Sequence, residues 1–355
     1  MRNLKSLTHF RLPRGLTLSW TFGFMLGCTL MFQIISGLLV RLIYSSLEGF
    51  RTSSDILYCT NWGWLARLAH ANGASLFFLL IYLHLFRGLT QGSFKNSYVW
   101  HSGVTALIVL CMVSFLGYTL PWGQISFWGV SVITNLLSAI PIVGEELKIL
   151  LWGNFYVKNS LASCFFRLHI LLSFGLGALA GAHILLKHMI RPTSPLGLTC
   201  TFDKVPFTPY FLVKDGLIAR LALTGLLYFT LNNPYLLLDP DNFYPAEPLV
   251  TPAHIKPEWY FLPAYAVLRS IPNKLGGVLG LAIAYAILYT LPYSRANISI
   301  NSYERSPLRK LWSYLVATTW RLLTFLGGAL VEYPYRDLAL GLRSLYFCLI
   351  LPLSL

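Results

Sequence analysis

HANGASLFFLLIYLH, residues 70–84, and HILLSFGLGALAGAH, residues 169–183, decide how this chain is read. Each stretch begins and ends on histidine, and everything between is apolar or small. Fourteen residues is close to four helical turns, so His70 and His84 point the same way at depths about 21 Å apart, as do His169 and His183. Two facing helices with this pattern are suited to hold two metal or haem centres stacked across a membrane. Glycines repeat the interval: Gly23 and Gly37 in one apolar stretch, Gly103 and Gly117 in another. Glycine permits close approach to a flat macrocycle, at a cost of ~1 kcal/mol per helix position. Arg67 and Arg87 lie three residues outside His70 and His84, suited to pairing with anionic propionates.

Composition places the chain in a membrane. Of 355 residues, 55% are hydrophobic and 11% charged, against about 25% charged in soluble domains. A hydrocarbon core needs roughly 20 apolar residues per helical span. Eight stretches are candidates, the fifth and sixth of them short and open to another reading: Trp20–Tyr44, Trp64–Leu89, Val99–Leu120, Leu161–Leu186, Leu217–Leu231, Gly277–Tyr293, Leu311–Leu326 and Leu338–Leu353. The expected fold is therefore an all-α membrane protein of eight transmembrane helices, the first four forming a two-centre bundle. Gln33 and Arg41 argue against reading the first stretch as a cleavable signal peptide.

The formal net charge of +14 does not indicate nucleic acid, because it is one-sided. With eight spans both termini share a face, and that face carries fifteen bases and three acids; the opposite face carries ten of each, and Arg321 and Arg343 fall inside spans. This is the positive-inside asymmetry of a membrane protein. The six cysteines form no C-x-x-C or C-x-x-C-H, which argues against a thiolate zinc site or covalent haem attachment. Residues 1–191 form the expected N-terminal block, with surface helices in its third loop, and 192–355 the second. Two long loops, Pro121–Ser160 and Asn232–Lys274, fall on the charge-balanced face and suggest a pocket there. His9, His101 and His254 have no equal-interval partners.

Three other classes compete: a different two-haem membrane subunit, a transporter with histidine proton relays, and a structural subunit without chemistry. Relay histidines need no equal pairing, matched glycine pairs would serve nothing in a transporter, and a complete set of four imidazoles speaks against a structural role.

The chain resembles the cytochrome b family, in particular its mitochondrial and proteobacterial branch, from about Trp20 to Leu353. The stretches that carry the resemblance are HANGAS (70–75), GYTLPWGQ (117–124), FWG (127–129), TNLLSAIP (134–141) and PEWY (257–260). The resemblance implies two non-covalent b-type haems, the low-potential one on His70 and His169 and the high-potential one on His84 and His183. It implies ubiquinone as substrate. An oxidation pocket would use Pro257, Glu258 and Tyr260, with Phe115, Tyr118, Gly129, Phe261 and Tyr265 near the ring. A reduction pocket would use His188, Lys214 and Asp215. It implies the activity of a ubiquinol–cytochrome c oxidoreductase, in which one electron goes to a Rieske-type iron–sulfur protein and the other crosses to reduce quinone on the opposite face. Partners would be that protein, a c-type cytochrome, further complex III subunits, lipid and a second copy of the complex. The location would be the mitochondrial inner membrane, with both termini on the matrix side. The chain departs from the family at Ser173, where proline is usual, and in the run Met189–Gly197, where a Gly-Ser pair and an asparagine are usual.

From the residues alone Glu258 reads first as a solvent-facing loop acid; with the resemblance, its place between proline and aromatic residues, where partial desolvation raises a carboxyl pKa, suits reversible proton transfer. Tyr118 and Tyr260 are suited to positioning the ring or ordering water. Asp215 and Lys214 also read as a surface pair at a helix start.

Overall fold

The structure, a computed structural model, describes residues 11–189, 203–293 and 306–351. Expectations about His9, the run after Met189 and the division at residues 191 and 192 lie outside the described residues.

Twelve α-helices are present among the described residues. They are α1 (Phe22–Arg41), α2 (Gly49–Tyr58), α3 (Gly63–Thr90), α4 (Ser97–Thr119), α5 (Gln124–Asn135), α6 (Gly144–Trp152), α7 (Asn159–His188), α8 (Leu212–Asn232), α9 (Leu262–Arg269), α10 (Lys274–Ala286), α11 (Pro307–Gly328) and α12 (Tyr335–Ile350). The described part of each apolar stretch read from the sequence carries a helix, the sixth continuing from α10 through a tighter turn at Ile287–Tyr293. Among the described residues, five helical segments are long and apolar enough to cross a membrane: α1, α3, α4, α7 and Lys274–Tyr293. Two short strands, β1 (Arg11–Pro13) and β2 (Lys204–Pro206), pair antiparallel with Leu12 opposite Val205.

The first bundle is built from two helix pairs, α1 on α3 and α4 on α7. In hydrocarbon no hydrophobic force drives helices together, so close packing over small residues does this work. The glycines of α1 and α4 lie on these contacts. A second core, with Trp100, Leu107, Val267, Leu291, Val316, Leu323 and Tyr346 buried in it, joins α3 and α4 to α9–α12.

The long loops are more ordered than their composition suggests. The first contains α5 and α6, and the second closes on α9. They are pinned together: Gln124 N donates to Tyr244 O at 3.0 Å, Ser126 N to Asn242 Oδ1 at 2.9 Å, and Gly123 bridges Pro245. Any side chain at Gly123 would run into Asn242. Trp122 beside it holds a left-handed backbone, φ 55°, which is uncommon for a bulky residue. The face bearing these loops is called the loop end below, and the opposite face the basic end.

The two interior arginines have different settings. Arg343 Nη1 donates to Ser270 Oγ at 3.3 Å, while Arg321 stands exposed on α11.

Candidate functional site

The four histidines form two tiers. At the loop end, the rings of His70 and His169 have centroids 6.3 Å apart and planes at 87°. At the basic end, those of His84 and His183 are 6.5 Å apart at 72°. Two metal–imidazole bonds of about 2 Å each, with the offset from each nitrogen to its ring centre, come to ~6.3 Å. That spacing fits an ion held between two imidazole nitrogens, and it also lies within the range of edge-to-face ring packing.

The outer nitrogens are accounted for in three of the four. His70 Nδ1 lies 3.0 Å from Ser36 Oγ, His183 Nδ1 2.9 Å from Ser102 Oγ, and His169 Nδ1 2.9 Å from Val113 O. A hydrogen bond at Nδ1 fixes the tautomer and leaves Nε2 available to a metal. His84 Nδ1 is buried with no partner.

The paired glycines lie against the imidazole edges. A Cβ at Gly37 would stand 2.9 Å from His70 Cε1, and at Gly117 2.6 Å from His169 Cε1. At Gly103 and Gly23 the distances to His183 and His84 are 3.2 and 3.5 Å. The helices of each pair run antiparallel, so the later glycine of each pair meets the earlier histidine. The equal intervals therefore reflect ring-on-backbone contacts at both depths.

Between the tiers lies an apolar layer. Leu30, Phe77, Leu110 and Leu176 share one buried cluster, each at 8% exposure or less. Each stands seven residues, about two turns, from both members of its own glycine or histidine pair. The layer separates the two tiers with hydrocarbon.

One cavity joins the loop-end tier to the long loops. Gly37, His70, Gly117 and His169 line it, as do Tyr118, Glu258 and Tyr260. Arg67 lines it too; Nη1 donates to Ser53 O at 2.7 Å and the guanidinium faces the Phe243 ring. Arg41, which in the sequence only argues against a signal peptide, lines the same cavity four residues beyond Gly37. At the basic end Arg87 stacks on Trp20 at 4.3 Å, with Nε buried and unpartnered.

The segment at residues 257–260 is held against one stripe of α3. Trp259 Nε1 donates to Ser75 Oγ at 3.1 Å, Tyr260 stacks on Phe78 at 4.0 Å, and Tyr82 donates from its hydroxyl to the Tyr260 carbonyl. Residues 75, 78 and 82 follow helical spacing on a face distinct from the histidines. This anchoring aims Glu258 inward, where Tyr118 hydrogen-bonds its carboxyl and Oε1 is left buried and unpartnered. Burial foremost, then the charge of Asp239, pushes its pKa up to about 7.

The other expected pocket residues divide. Tyr118, Glu258 and Tyr260 meet in the cavity, but Tyr260 is only 4% exposed and serves packing. Phe115 packs on Phe165 at 6.0 Å, Phe261 on Phe78 at 5.6 Å, and Tyr265 lies under Arg269 at 5.3 Å. Pro257 precedes Glu258 in the same inward turn, and Gly129 has open space where a Cβ would project. At the basic end His188 closes α7, and Lys214 near the start of α8 donates from Nζ to Leu16 O at 3.0 Å, with Asp215 next to it. Ser173 donates to His169 O at 2.6 Å, so α7 carries an internal hydrogen bond here in place of a proline bend.

Ser36 and Ser102 were missed in the sequence. Each immediately precedes the glycine that abuts its imidazole, in Ser36-Gly37 and Ser102-Gly103. That repeated dipeptide was the available signal.

A helical bundle with paired imidazoles at two depths, divided by an apolar layer, defines an electron-transfer protein of the membrane. Two family descriptions match the chain: cytochrome b/b6/petB over residues 7–191, and the C-terminal part of cytochrome b/b6/petD over residues 245–347. A solved structure entitled "Hyperthermophilic respiratory Complex III" is similar over 100% of this chain and 95% of its own, at 30% identity and a TM-score of 0.93. The chain belongs to the cytochrome b family. It is a multi-pass membrane protein and the haem-bearing subunit of a quinol oxidoreductase complex.

Proposed function

We propose that this chain holds two non-covalent b-type haems, on His70 with His169 and on His84 with His183. In this reading it oxidises ubiquinol at the loop end and reduces quinone at the basic end, within a ubiquinol–cytochrome c oxidoreductase. The observation that carries the reading is the single cavity shared by His70, His169, Tyr118 and Glu258. A site for proton acceptance thereby opens directly onto a candidate metal pair. When bound, the haems supply a reversible one-electron iron couple at two depths, tuned by axial ligands and their hydrogen bonds.

The chain's own residues do the rest. Tyr118 and the anchored segment at 257–260 bind and orient the quinol ring. Glu258 accepts a quinol proton at its free Oε1. A carboxyl with a pKa near 7 is matched to accepting and releasing a proton at physiological pH. Arg41 and Arg67 are positioned to meet propionates at the loop end, and Arg87 at the basic end. His188, Lys214 and Asp215 provide donors and acceptors for quinone at the basic end. The apolar layer keeps water from bridging the tiers.

The same reading takes all eight apolar helices as spans, with both termini on the basic side, and keeps the N-terminal four-helix block and the C-terminal block as two units. It places the chain in a mitochondrial inner membrane as part of a dimeric complex. A Rieske-type iron–sulfur protein and a c-type cytochrome would dock over the pinned loops.

Glu258→Gln tests the proposal. Only the carboxylate accepts a proton, so wild-type quinol oxidation rises as pH increases through about 7. The variant loses about 10²-fold and that inflection with it. An unchanged rate and pH profile would overturn the assignment.

A further inference from the structure

Two imidazoles share an outer arrangement. Ser36 Oγ lies 3.0 Å from His70 Nδ1 and donates its own proton to Phe32 O at 2.8 Å. Ser102 Oγ lies 2.9 Å from His183 Nδ1 and donates to Val99 O, also at 2.9 Å. A hydroxyl has one proton. Once that proton is committed to a helix carbonyl, the oxygen offers only lone pairs, so the imidazole carries its proton on Nδ1 and leaves Nε2 bare.

The tiers differ in how many Nδ1 atoms are so served. At the loop end both Nδ1 atoms are served, by Ser36 and by the Val113 carbonyl. At the basic end His84 Nδ1 has no partner, and His183 is served by Ser102 Oγ together with the Val99 carbonyl. An acceptor at Nδ1 makes Nε2 more basic. A more electron-rich axial ligand favours the oxidised iron and lowers the potential.

We propose that Ser102 is a positioning residue that, alongside the Val99 carbonyl, fixes the His183 tautomer and through its own hydrogen bond holds down the potential of the basic-end centre. The smaller number of served Nδ1 atoms there raises that centre's potential relative to the loop-end one. This rests on the reading of the four histidines as haem ligands. Ser102→Ala removes only the hydroxyl oxygen that faces His183 and brings no new atom against the ring.

The test uses the intact membrane complex. Haem content is measured first, then the midpoint potentials of the two b-type absorption signals by anaerobic potentiometry. The basic-end signal is the one that His183→Ala removes. Ser102→Ala retains both haems and raises the basic-end potential, by about a tenfold change in the oxidised-to-reduced ratio, which is 59 mV for a one-electron couple. The loop-end potential stays where it was. Ser102→Thr, which keeps a hydroxyl, restores the wild-type value. If the alanine chain does not assemble, Ser102→Cys, a weaker acceptor, gives a smaller shift of the same sign. An unmoved potential, a downward shift or an equal shift of both signals overturns the role of Ser102 and leaves the ligand reading intact. A wild-type complex without two b-type signals overturns the ligand reading itself.

Discussion

The loop-end and basic-end tiers repeat one design with different tolerances. At the loop end the glycine contacts are tighter, 2.6 and 2.9 Å against 3.2 and 3.5 Å, and both outer nitrogens are hydrogen-bonded. The loop-end imidazoles also open onto a cavity with a buried carboxyl group. At the basic end the glycines stand further off and one outer nitrogen has no partner. The comparison teaches that four imidazoles at equal spacing need not be equivalent. Contacts set by neighbouring glycines and serines give each tier its own environment, and the chemistry is added at one tier by a loop from the other half of the chain.

The largest expected effect separates the tiers outright. His169→Ala removes the loop-end haem signal and spares the basic-end one, and His84→Ala does the reverse, as read in the absorption spectrum of the reduced complex. Loss of both signals from either variant would show that the tiers are not independent. Next come the glycines. Gly117→Ala forces a methyl group to 2.6 Å from His169 and costs about 1–3 kcal/mol as overpacking, seen as weakened haem retention at the loop end. Gly23→Ala meets His84 at 3.5 Å, ordinary contact, and leaves the basic-end signal near wild type. Equal effects from the two would break the claim that the tiers differ in tightness. The smallest effect concerns the loop end alone. Ser75→Ala removes the anchor of Trp259 at about 0.5–1.5 kcal/mol, raising the KM for quinol and leaving both haem signals unchanged.

Much of this was legible in the sequence. Histidine and glycine intervals are read through helical periodicity alone, which is why His70, His84, His169 and His183 fall into two facing pairs. The function of the glycines was less legible. An interval tells which face a residue shares but not which atom meets it, and the contacts turn out to be imidazole edges. The serines at 36 and 102 were hidden for a similar reason. A hydroxyl in an apolar helix usually bonds its own backbone, and both do, so only the placement of the opposing ring reveals the second bond. Glu258 was found through the PEWY stretch. Its inward aim depends on Ser75, Phe78 and Tyr82, residues about 180 positions earlier in the chain. Long-range anchoring of that kind leaves no local pattern. Arg41 in sequence speaks only against a signal peptide, because nothing local shows that the end of its helix borders the cavity.

The central claim is that two pairs of imidazoles each clasp one non-covalent haem. Acid–acetone extraction of the purified complex, with haem quantified against this chain, tests it most directly. The account predicts two extractable b-type haems per copy of the chain, falling to one in His84→Ala. A single haem in the wild type, none, or haem that resists extraction because it is covalently attached would contradict it.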